Sequence, residues 1–427
     1  MDIMKQFAIV FILVMVTSTF AANQAVITTT DFSSGSFSSL DLETNTATND
    51  YLRIHSDAVV RTYQDKVYII NRLGQDNVIV LDKDNLSTPL IQYSTGNGTN
   101  PHDMAFVSES KAYISRYGHT QVLIVNPVTG DSLGAVDLST FADSDGFPEM
   151  SQLTLYNNRL FVVCLRLDQN NGFAPTDFSV VVVVDVATDQ VVDVDANAAG
   201  VQGIVMTGKN PSGASQRGDK WVLSTVNTFG DLADGGIEVI DLGNLKSDGI
   251  VIGEAELGGN LNFLAMASDN KGYVVVSDAN FANLVKGFDL TTKTVSASLG
   301  GLSGGYVSSL GVFGTRLYAL DNGSFSDPTS GGVKVYDVNT DQLVAGPINT
   351  GLPPASIAFI GTISSLQGDF NGDGVVSFPD FLAFANAFGK KAGENNFDTK
   401  FDLNGNGSVD FPDFLIFVSS FNPTSSG

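Results

Sequence analysis

The feature that most constrains the fold is a unit that recurs along the first 365 residues. Each unit contains an apolar strand, a polar loop, a second strand that ends near Asp, and a turn rich in Asn, Asp, Thr or Gly. The spacing matches the period of four-stranded propeller blades, roughly 40–50 residues. Successive units start 44 to 61 residues apart, at Val67, Ala112, Leu160, Trp221, Tyr273 and Leu317.

A shorter apolar run precedes each unit, and we interpret it as the inner strand of a blade. This interpretation treats the polar stretch 211–218 as a loop insertion. The seven runs begin at Ala58, Met104, Leu153, Ile204, Phe263, Ser308 and Ile357.

The two ends of the repeat complement each other. The N-terminal strand pair, Val26–Glu43, has no inner strand before it, and the last run, Ala355–Ile360, has no outer strands after it. Joining them would close a ring and remove both open sheet edges. The sequence therefore predicts a mainly β fold, a seven-bladed β-propeller over residues 22–365 that is closed by N- and C-terminal strands. An eight-bladed ring is the alternative.

The strand pairs also carry a family resemblance. Segments such as Val67–Asp82 and Ala112–Gly130 follow the form "YV-N…V-V-D…T". This form resembles the secreted YVTN/YncE-like β-propeller group over about 340 residues. The resemblance implies a fold but no particular function.

A twelve-residue segment occurs twice near the C-terminus, at 369–380 and again 33 residues later at 402–413. Both copies have oxygen-bearing side chains at positions 1, 3, 5, 9 and 12 and glycine at position 6. This spacing is typical of loops that wrap a hard cation such as Ca²⁺.

A short helix is predicted after each loop. Phenylalanines recur at the same offsets in both copies, in steps of three and four residues that place them on one helix face. We expect these rings to form the core of a small domain together with Leu382 and Leu415. Docking of some of the rings on a partner or on the propeller is the alternative. The rings are Phe378, Phe381, Phe384, Phe388, Phe411, Phe414, Phe417 and Phe421.

A loop followed by a single helix, present twice, resembles a dockerin domain, here over residues 366–427. Dockerins bind cohesin domains in extracellular polysaccharide-degrading assemblies. The resemblance implies two Ca²⁺ ions, one per loop, and a cohesin-like partner. Positions 10 and 11 are Phe-Pro in both copies, where cohesin-binding dockerins often carry small hydroxyl residues. The implied ligands are Asp369, Asn371, Asp373, Val375 (carbonyl), Ser377 and Asp380, then Asp402, Asn404, Asn406, Ser408 (carbonyl), Asp410 and Asp413.

The charge balance excludes some partners. The chain has 22 basic and 46 acidic residues, a net charge of −24 and a pI of about 4.2. Nucleic acid and anionic membranes are therefore not expected to bind, because both require basic surface. The single cysteine, Cys164, lies in an apolar run and is expected to be a buried strand residue without a disulfide.

The N-terminus has the pattern of an export signal. Lys5 precedes an unbroken apolar run at 7–16, and small residues follow up to Ala21. The run is short for a membrane span and fits a signal peptide of residues 1–21. We expect a secreted or cell-surface protein without a membrane span after cleavage. An uncleaved N-terminal anchor is the alternative.

A candidate ligand site is expected on one face of the propeller. All three histidines and three of the few arginines fall in loops that should surround the mouth of the central channel. Arginine suits carboxylate or sulfate, so an anionic glycan is a candidate ligand. Local salt bridges with residues such as Asp76 and Asp103 are the alternative role of the arginines. The candidate residues are His55, Arg72, His102, Arg116, His119 and Arg166.

No catalytic constellation can be assigned, so enzymatic activity stays open. The sequence favours a secreted calcium-binding protein whose propeller is a binding or scaffold domain attached to partners or a surface through the dockerin-like module. One alternative is a carbohydrate-active enzyme, a polysaccharide lyase or hydrolase of a cellulosome-like complex. Another is a structural surface-layer or adhesion component assembled by calcium.

Overall fold

The computed structural model describes residues 23–324, 326–360, 368, 370, 376, 378–394 and 397–421. Within them the chain forms seven antiparallel blades and a small C-terminal pair of helices. No helix in these ranges is both long enough and apolar enough to cross a bilayer.

The blades follow the chain in order, four strands to a blade, with the innermost strand first. Blades one to three contain β4 (Ala58–Tyr63), β5 (Lys66–Asn71), β6 (Asn77–Asp82), β7 (Asn85–Ser94); β8 (Pro101–Ser108), β9 (Lys111–Arg116), β10 (Gln121–Val125), β11 (Ser132–Asp137); and β12 (Met150–Tyr156), β13 (Arg159–Cys164), β16 (Val180–Asp185), β17 (Gln190–Val192).

Blades four to six repeat the arrangement, and blade seven combines both ends of the chain. These strands are β19 (Pro211–Arg217), β20 (Lys220–Thr225), β21 (Gly236–Asp241), β22 (Lys246–Gly253); β23 (Asn260–Met266), β24 (Lys271–Ser277), β25 (Asn283–Asp289), β26 (Thr294–Ser298); β27 (Val307–Phe313), β28 (Arg316–Asp321), β29 (Gly332–Asp337), β30 (Leu343–Ile348); and β31 (Pro354–Ile360), β1 (Gln24–Thr30), β2 (Gly35–Asp41), β3 (Thr46–Thr48).

Besides short 3-10 turns, three short strands and three helices complete the described chain. Strands β14 (Leu167–Asp168) and β15 (Ala174–Pro175) pair inside a long loop of blade three, and β18 (Ile204–Val205) pairs with β16 of the same blade. The helices are α1 (Glu254–Leu257), α2 (Phe378–Ala387) and α3 (Phe411–Ser420).

The middle strands of each blade are apolar throughout because both of their faces are covered by neighbouring blades. In β16, five consecutive valines are buried. Phe161 of blade three and Trp221 of blade four belong to one buried cluster, so the core lies between blades. Cys164 is buried in the adjacent cluster, as expected.

Neighbouring blades are also joined by a repeated polar contact. On β9, Lys111 donates to Asp189 of blade three at 2.8 Å, and the hydroxyl of Tyr113 reaches the same carboxylate. On β24, Lys271 donates to Asp341 of blade six at 2.9 Å. The recurrence of the pair three blades apart follows from the sequence repeat.

The ring closes as the sequence predicts, with seven blades. Strand β1 pairs antiparallel with β31, and Ile27 lies opposite Ile357. The hydroxyl of Thr28 donates to the carbonyl of Ala58 in blade one at 3.0 Å, so the closing blade is attached on that side as well.

The inner strand of blade four was assigned wrongly from the sequence. The run at Ile204 forms the short edge strand β18, whereas the supposed insertion contains the inner strand β19. This strand is polar because it lines the channel, and it lies very close to its neighbour. A Cβ on Gly213 would be 2.7 Å from the backbone nitrogen of Leu264, so apolar bulk is excluded there.

The expected phenylalanine core of the C-terminal module is only partly correct. Phe384 and Phe417 are buried and stacked at 5.5 Å, and Phe370 packs against both. At 100° per residue, positions 378 and 382 turn away from the face of positions 381 and 384. The residues that are instead exposed are Phe378, Leu382, Phe388, Phe411 and Leu415.

Ring closure makes a prediction for Ile27, which is fully buried. Ile27→Ala should lower the free energy of unfolding by about 2–5 kcal/mol, because it leaves a cavity in the closing blade. Leu90→Ala on the exposed outer strand β7 is the control and should change it by less than about 0.5 kcal/mol. Urea transitions measure both; equal effects would contradict the role of the closing blade.

Candidate functional site

Of the ligands predicted for the first loop, only Asp380 is among the residues that the structure describes. Asp380 is fully buried at the start of α2, and its Oδ1 accepts the backbone N–H of Phe370 at 2.8 Å. The other predicted ligands of this loop lie outside the described residues: Asp369, Asn371, Asp373, Val375 and Ser377.

The second loop is described in full and folds around its own oxygens. Asp402 accepts the N–H groups of Asn406 at 3.0 Å and Gly407 at 2.7 Å. Asn404 accepts from Asn406 at 2.9 Å. Gly407, at position 6, has a φ of 86°, a left-handed value that favours glycine.

Asp413 connects this loop to α3. It is fully buried, and its two carboxylate oxygens accept the N–H groups of Asn404 at 3.0 Å and Asp410 at 2.8 Å. A carboxylate in the first turn of a helix is also favoured by the helix dipole. The ligand positions at both ends of the loop are thereby held near one another.

The donor set of the second loop fits a hard cation. Asp410 Oδ1 is buried without a hydrogen-bond partner, which is unfavourable for a carboxylate oxygen unless something else satisfies it. The predicted side-chain ligands, Asp402, Asn404, Asn406, Asp410 and Asp413, all supply oxygen, the ligand type that Ca²⁺ takes.

The two helices present matching apolar pairs to solvent. Phe378 and Leu382 on α2 are 57% and 49% exposed, and Phe411 and Leu415 on α3 are 60% and 55% exposed. The two members of each pair are four residues apart: the phenylalanine is position 10 of a twelve-residue loop, and the leucine follows that loop. Exposed apolar patches of this kind mark interaction surfaces.

In the propeller, the seven inner strands surround a channel with a cavity of about 970 Å³. Of the six predicted rim residues, His55, Arg72 and His102 line it, whereas Arg116, His119 and Arg166 are outside its lining. His102 lies in β8, Arg116 ends β9 and the other four lie in loops, all at the same end of their blades. Only the three nearest the inner strands reach the channel.

The contacts of the arginines are local. Arg72 forms an ion pair with Asp57, although its Nε is buried without a partner. Arg116 donates to the carbonyls of Gln121 and Thr95, and Arg166 pairs with Asp177 at 3.2 Å. Each of the three arginines therefore has a local salt bridge or backbone hydrogen bond that can account for its side-chain orientation.

The histidine environment disfavours a charged imidazole at the channel. His102 stacks on Tyr117 at 4.6 Å. Burial, together with the nearby charge of Arg72, lowers the pKa of His102 to about 3. At neutral pH this side chain is a neutral hydrogen-bonding group.

An acidic cluster in the loop between blades two and three escaped the sequence analysis. Carboxylate oxygens of Asp143, Asp145 and Glu149 lie within 4.8 Å of one another. Glu149 is fully buried and accepts from Leu167 N and Gln169 Nε2, each at 2.9 Å. Burial raises its pKa to about 7, with the neighbouring carboxylates adding to the shift. The spacing of Asp143 and Asp145, two residues apart, is the sequence signal that could have indicated this cluster.

Comparison with known proteins agrees with both parts of the fold. Residues 367–422 match the dockerin type I domain family, so the C-terminal module is a dockerin type I domain. No curated protein matches the chain.

Several solved structures are similar to this chain at low sequence identity. A functionally unknown protein from Desulfotomaculum acetoxidans has a TM-score of 0.54 at 12% identity, covering 80% of this chain and 99% of that one. A putative 6-phosphogluconolactonase from Bacteroides fragilis has 0.53 at 14%, covering 81% and 99%. Apo AztD from Citrobacter koseri has 0.48 at 12%, covering 79% and 98%. At these identities the likeness shows the fold alone.

The buried Glu149 makes a prediction about pH. Its pKa is about 7 when folded and about 4.5 when exposed, so between these values the folded state binds more protons than the unfolded state. Stability should therefore fall as pH rises from about 4.5 to 7. Glu149→Gln should flatten this part of the melting-temperature profile, whereas Glu109→Gln at an exposed site should not. Parallel profiles for wild type and Glu149→Gln would contradict it.

Proposed function

We propose that this chain is a secreted, calcium-dependent tethered protein, in which a β-propeller binding or scaffold domain is attached to a cohesin-like partner through its dockerin module. The observation that carries the proposal is the dockerin match over residues 367–422, together with the oxygen-lined geometry of the second loop. The proposed organisation is a signal peptide at 1–21, the propeller at 22–365 and the dockerin module at 366–427.

Calcium is proposed to bind twice, once per loop. In the second loop Asp402, Asn404, Asn406, Asp410 and Asp413 would hold the ion with the carbonyl of Ser408. When bound, Ca²⁺ supplies positive charge that offsets the repulsion among these acidic side chains. Because the folded loop gathers ligands that the unfolded chain spreads apart, ion binding would stabilise the module by mass action.

The partner surface is proposed to be the pair of apolar patches on the two helices. Phe378 with Leu382 and Phe411 with Leu415 offer aromatic and aliphatic contact area at equivalent sites. Buried aromatic anchors contribute much of the free energy at protein interfaces. A cohesin-like partner of this module would then present an apolar surface there. A cell-surface component with such a surface is the alternative partner.

A second proposal, an anionic glycan at the channel mouth, depends on Arg72. This side chain lines the channel, and its Nε is a buried donor that lacks a partner; the Nε of Arg166 also lacks one but lies outside the channel lining. Asp57 already neutralises much of its charge. The local contacts of Arg116 and Arg166 support structural roles for those two arginines.

Removal of calcium should act on the module and spare the propeller. EDTA should leave the β signature in circular dichroism intact while making the last 60 or so residues sensitive to protease. Asp410→Asn should raise the calcium concentration needed for protection, whereas Asp398→Asn, which lies outside both loops, should not. Equal protease resistance with and without calcium would contradict the proposal.

The partner surface can be tested by pull-down with a panel of type I cohesins in calcium. We expect wild type to bind at least one cohesin and the quadruple variant Phe378→Ala, Leu382→Ala, Phe411→Ala, Leu415→Ala to lose at least about tenfold in affinity. Leu133→Ala, which removes an equally exposed leucine from the propeller, is the control. Unchanged capture of the quadruple variant would show that the partner binds elsewhere.

A further inference from the structure

Five blades carry a large exposed apolar side chain in the loop between their second and third strands. We name this set the apolar crown: Phe32, Leu73, Phe173, Phe229 and Phe281. Their exposed fractions range from 50% to 75%. Monomeric proteins rarely expose so many large apolar groups at equivalent places without an interaction to serve.

The crown surrounds the channel mouth. Loops between second and third strands leave a blade on the same face as the connections to the next blade, because successive strands are antiparallel. Phe32 and Leu73 line the channel, as does the half-exposed Tyr306.

The other crown members form ring contacts on the same face. Phe173 lies 6.4 Å from Tyr117, whose ring stacks on the channel residue His102. Phe229 and Phe281, from neighbouring blades, stack on each other at 6.4 Å with an interplanar angle of 23°. Flat ring surfaces are thus available beside the mouth on two sides.

The backbone at four crown positions is unfavourable for the residues that occupy it. Phe32, Phe173 and Phe281 have φ of 68°, 60° and 61°, and Leu73 has 45°. A left-handed conformation costs a bulky residue about 1 kcal/mol or more, and glycine avoids this cost. Strain of this kind persists where the side chain serves a function.

The surroundings of the crown define the chemistry of its ligand. The same loops contain four carboxylates, of which Asp31 and Asp231 are exposed and Asp168 and Asp278 are half-buried. These groups accept hydrogen bonds and repel anions, as does the net charge of −24. The ligand should have flat apolar faces, hydroxyl donors at its edges and no negative charge.

We propose that the apolar crown binds a neutral polysaccharide chain. The C–H faces of the sugar rings lie against the aromatic rings, and the hydroxyl groups donate to the loop carboxylates. The channel mouth supplies further polar groups, including His55 and the neutral His102. The protein would then bind its partner through the dockerin module and the polysaccharide through the propeller.

Affinity electrophoresis of the full-length protein in calcium tests the proposal. The gels contain hydroxyethyl cellulose, arabinoxylan, galactomannan or polygalacturonate. We expect retardation by at least one neutral polysaccharide. Phe32→Ala with Phe281→Ala should weaken that retardation by about tenfold or more. Val128→Ala, an exposed residue in a turn on the opposite face, should leave it unchanged.

Phe32→Gly separates binding from folding. It should weaken retardation while its melting temperature equals or exceeds that of wild type, because glycine relieves the left-handed backbone.

Three results would overturn the proposal: no retardation by any neutral polysaccharide, equal retardation of wild type and the double variant, or retention by polygalacturonate alone that depends on Arg72. Binding to phosphatidylcholine vesicles that the double variant loses, with no neutral polysaccharide bound, would assign the crown to a lipid surface and overturn it as well.

Discussion

The propeller depends on burial of the second and third strands of each blade against the next blade. A single blade leaves these strands uncovered, so stability requires a complete ring. Strand β1 supplies the missing pairing for β31 and removes the two edges that an open array would leave. The contacts of Lys111 and Lys271 with carboxylates of the following blades add polar links between blades. A rigid ring of this kind can present strained loops on one face.

Unlike the propeller, the C-terminal module has little buried apolar surface to stabilise it. Its buried core is small, with Phe384 stacked on Phe417, and the remaining structure is built around oxygen ligands. Small domains with little to bury commonly require a metal for stability. The buried Asp380 and Asp413 lie in the first turns of the two helices, so the proposed ion binding in the loops would be coupled to helix formation. The apolar pairs at the starts of the helices would then be correctly placed only when both helices are formed.

The sequence predicted those features that depend on local spacing or on long repeats. The dockerin module was recognisable from residue offsets within twelve-residue segments, and the ring from the recurrence of strand pairs and their incomplete ends. Strand β19 was missed because its residues are small and polar. They line the channel, and the close approach of the next blade leaves no room for a larger side chain at Gly213. The apolar crown was missed because single residues in loops of different length have no periodicity. The exposure of Phe378 and Phe411 depends on the direction in which the first helical turn faces, which the spacing alone does not define.

The central claim is that calcium orders the dockerin module through these loops. Isothermal titration of calcium into the EDTA-stripped full-length protein tests it most directly. The account predicts uptake of two ions per chain, with one site weakened by Asp410→Asn. Heat of binding that is absent in the stripped wild type, or that is unchanged in this variant, would contradict the account.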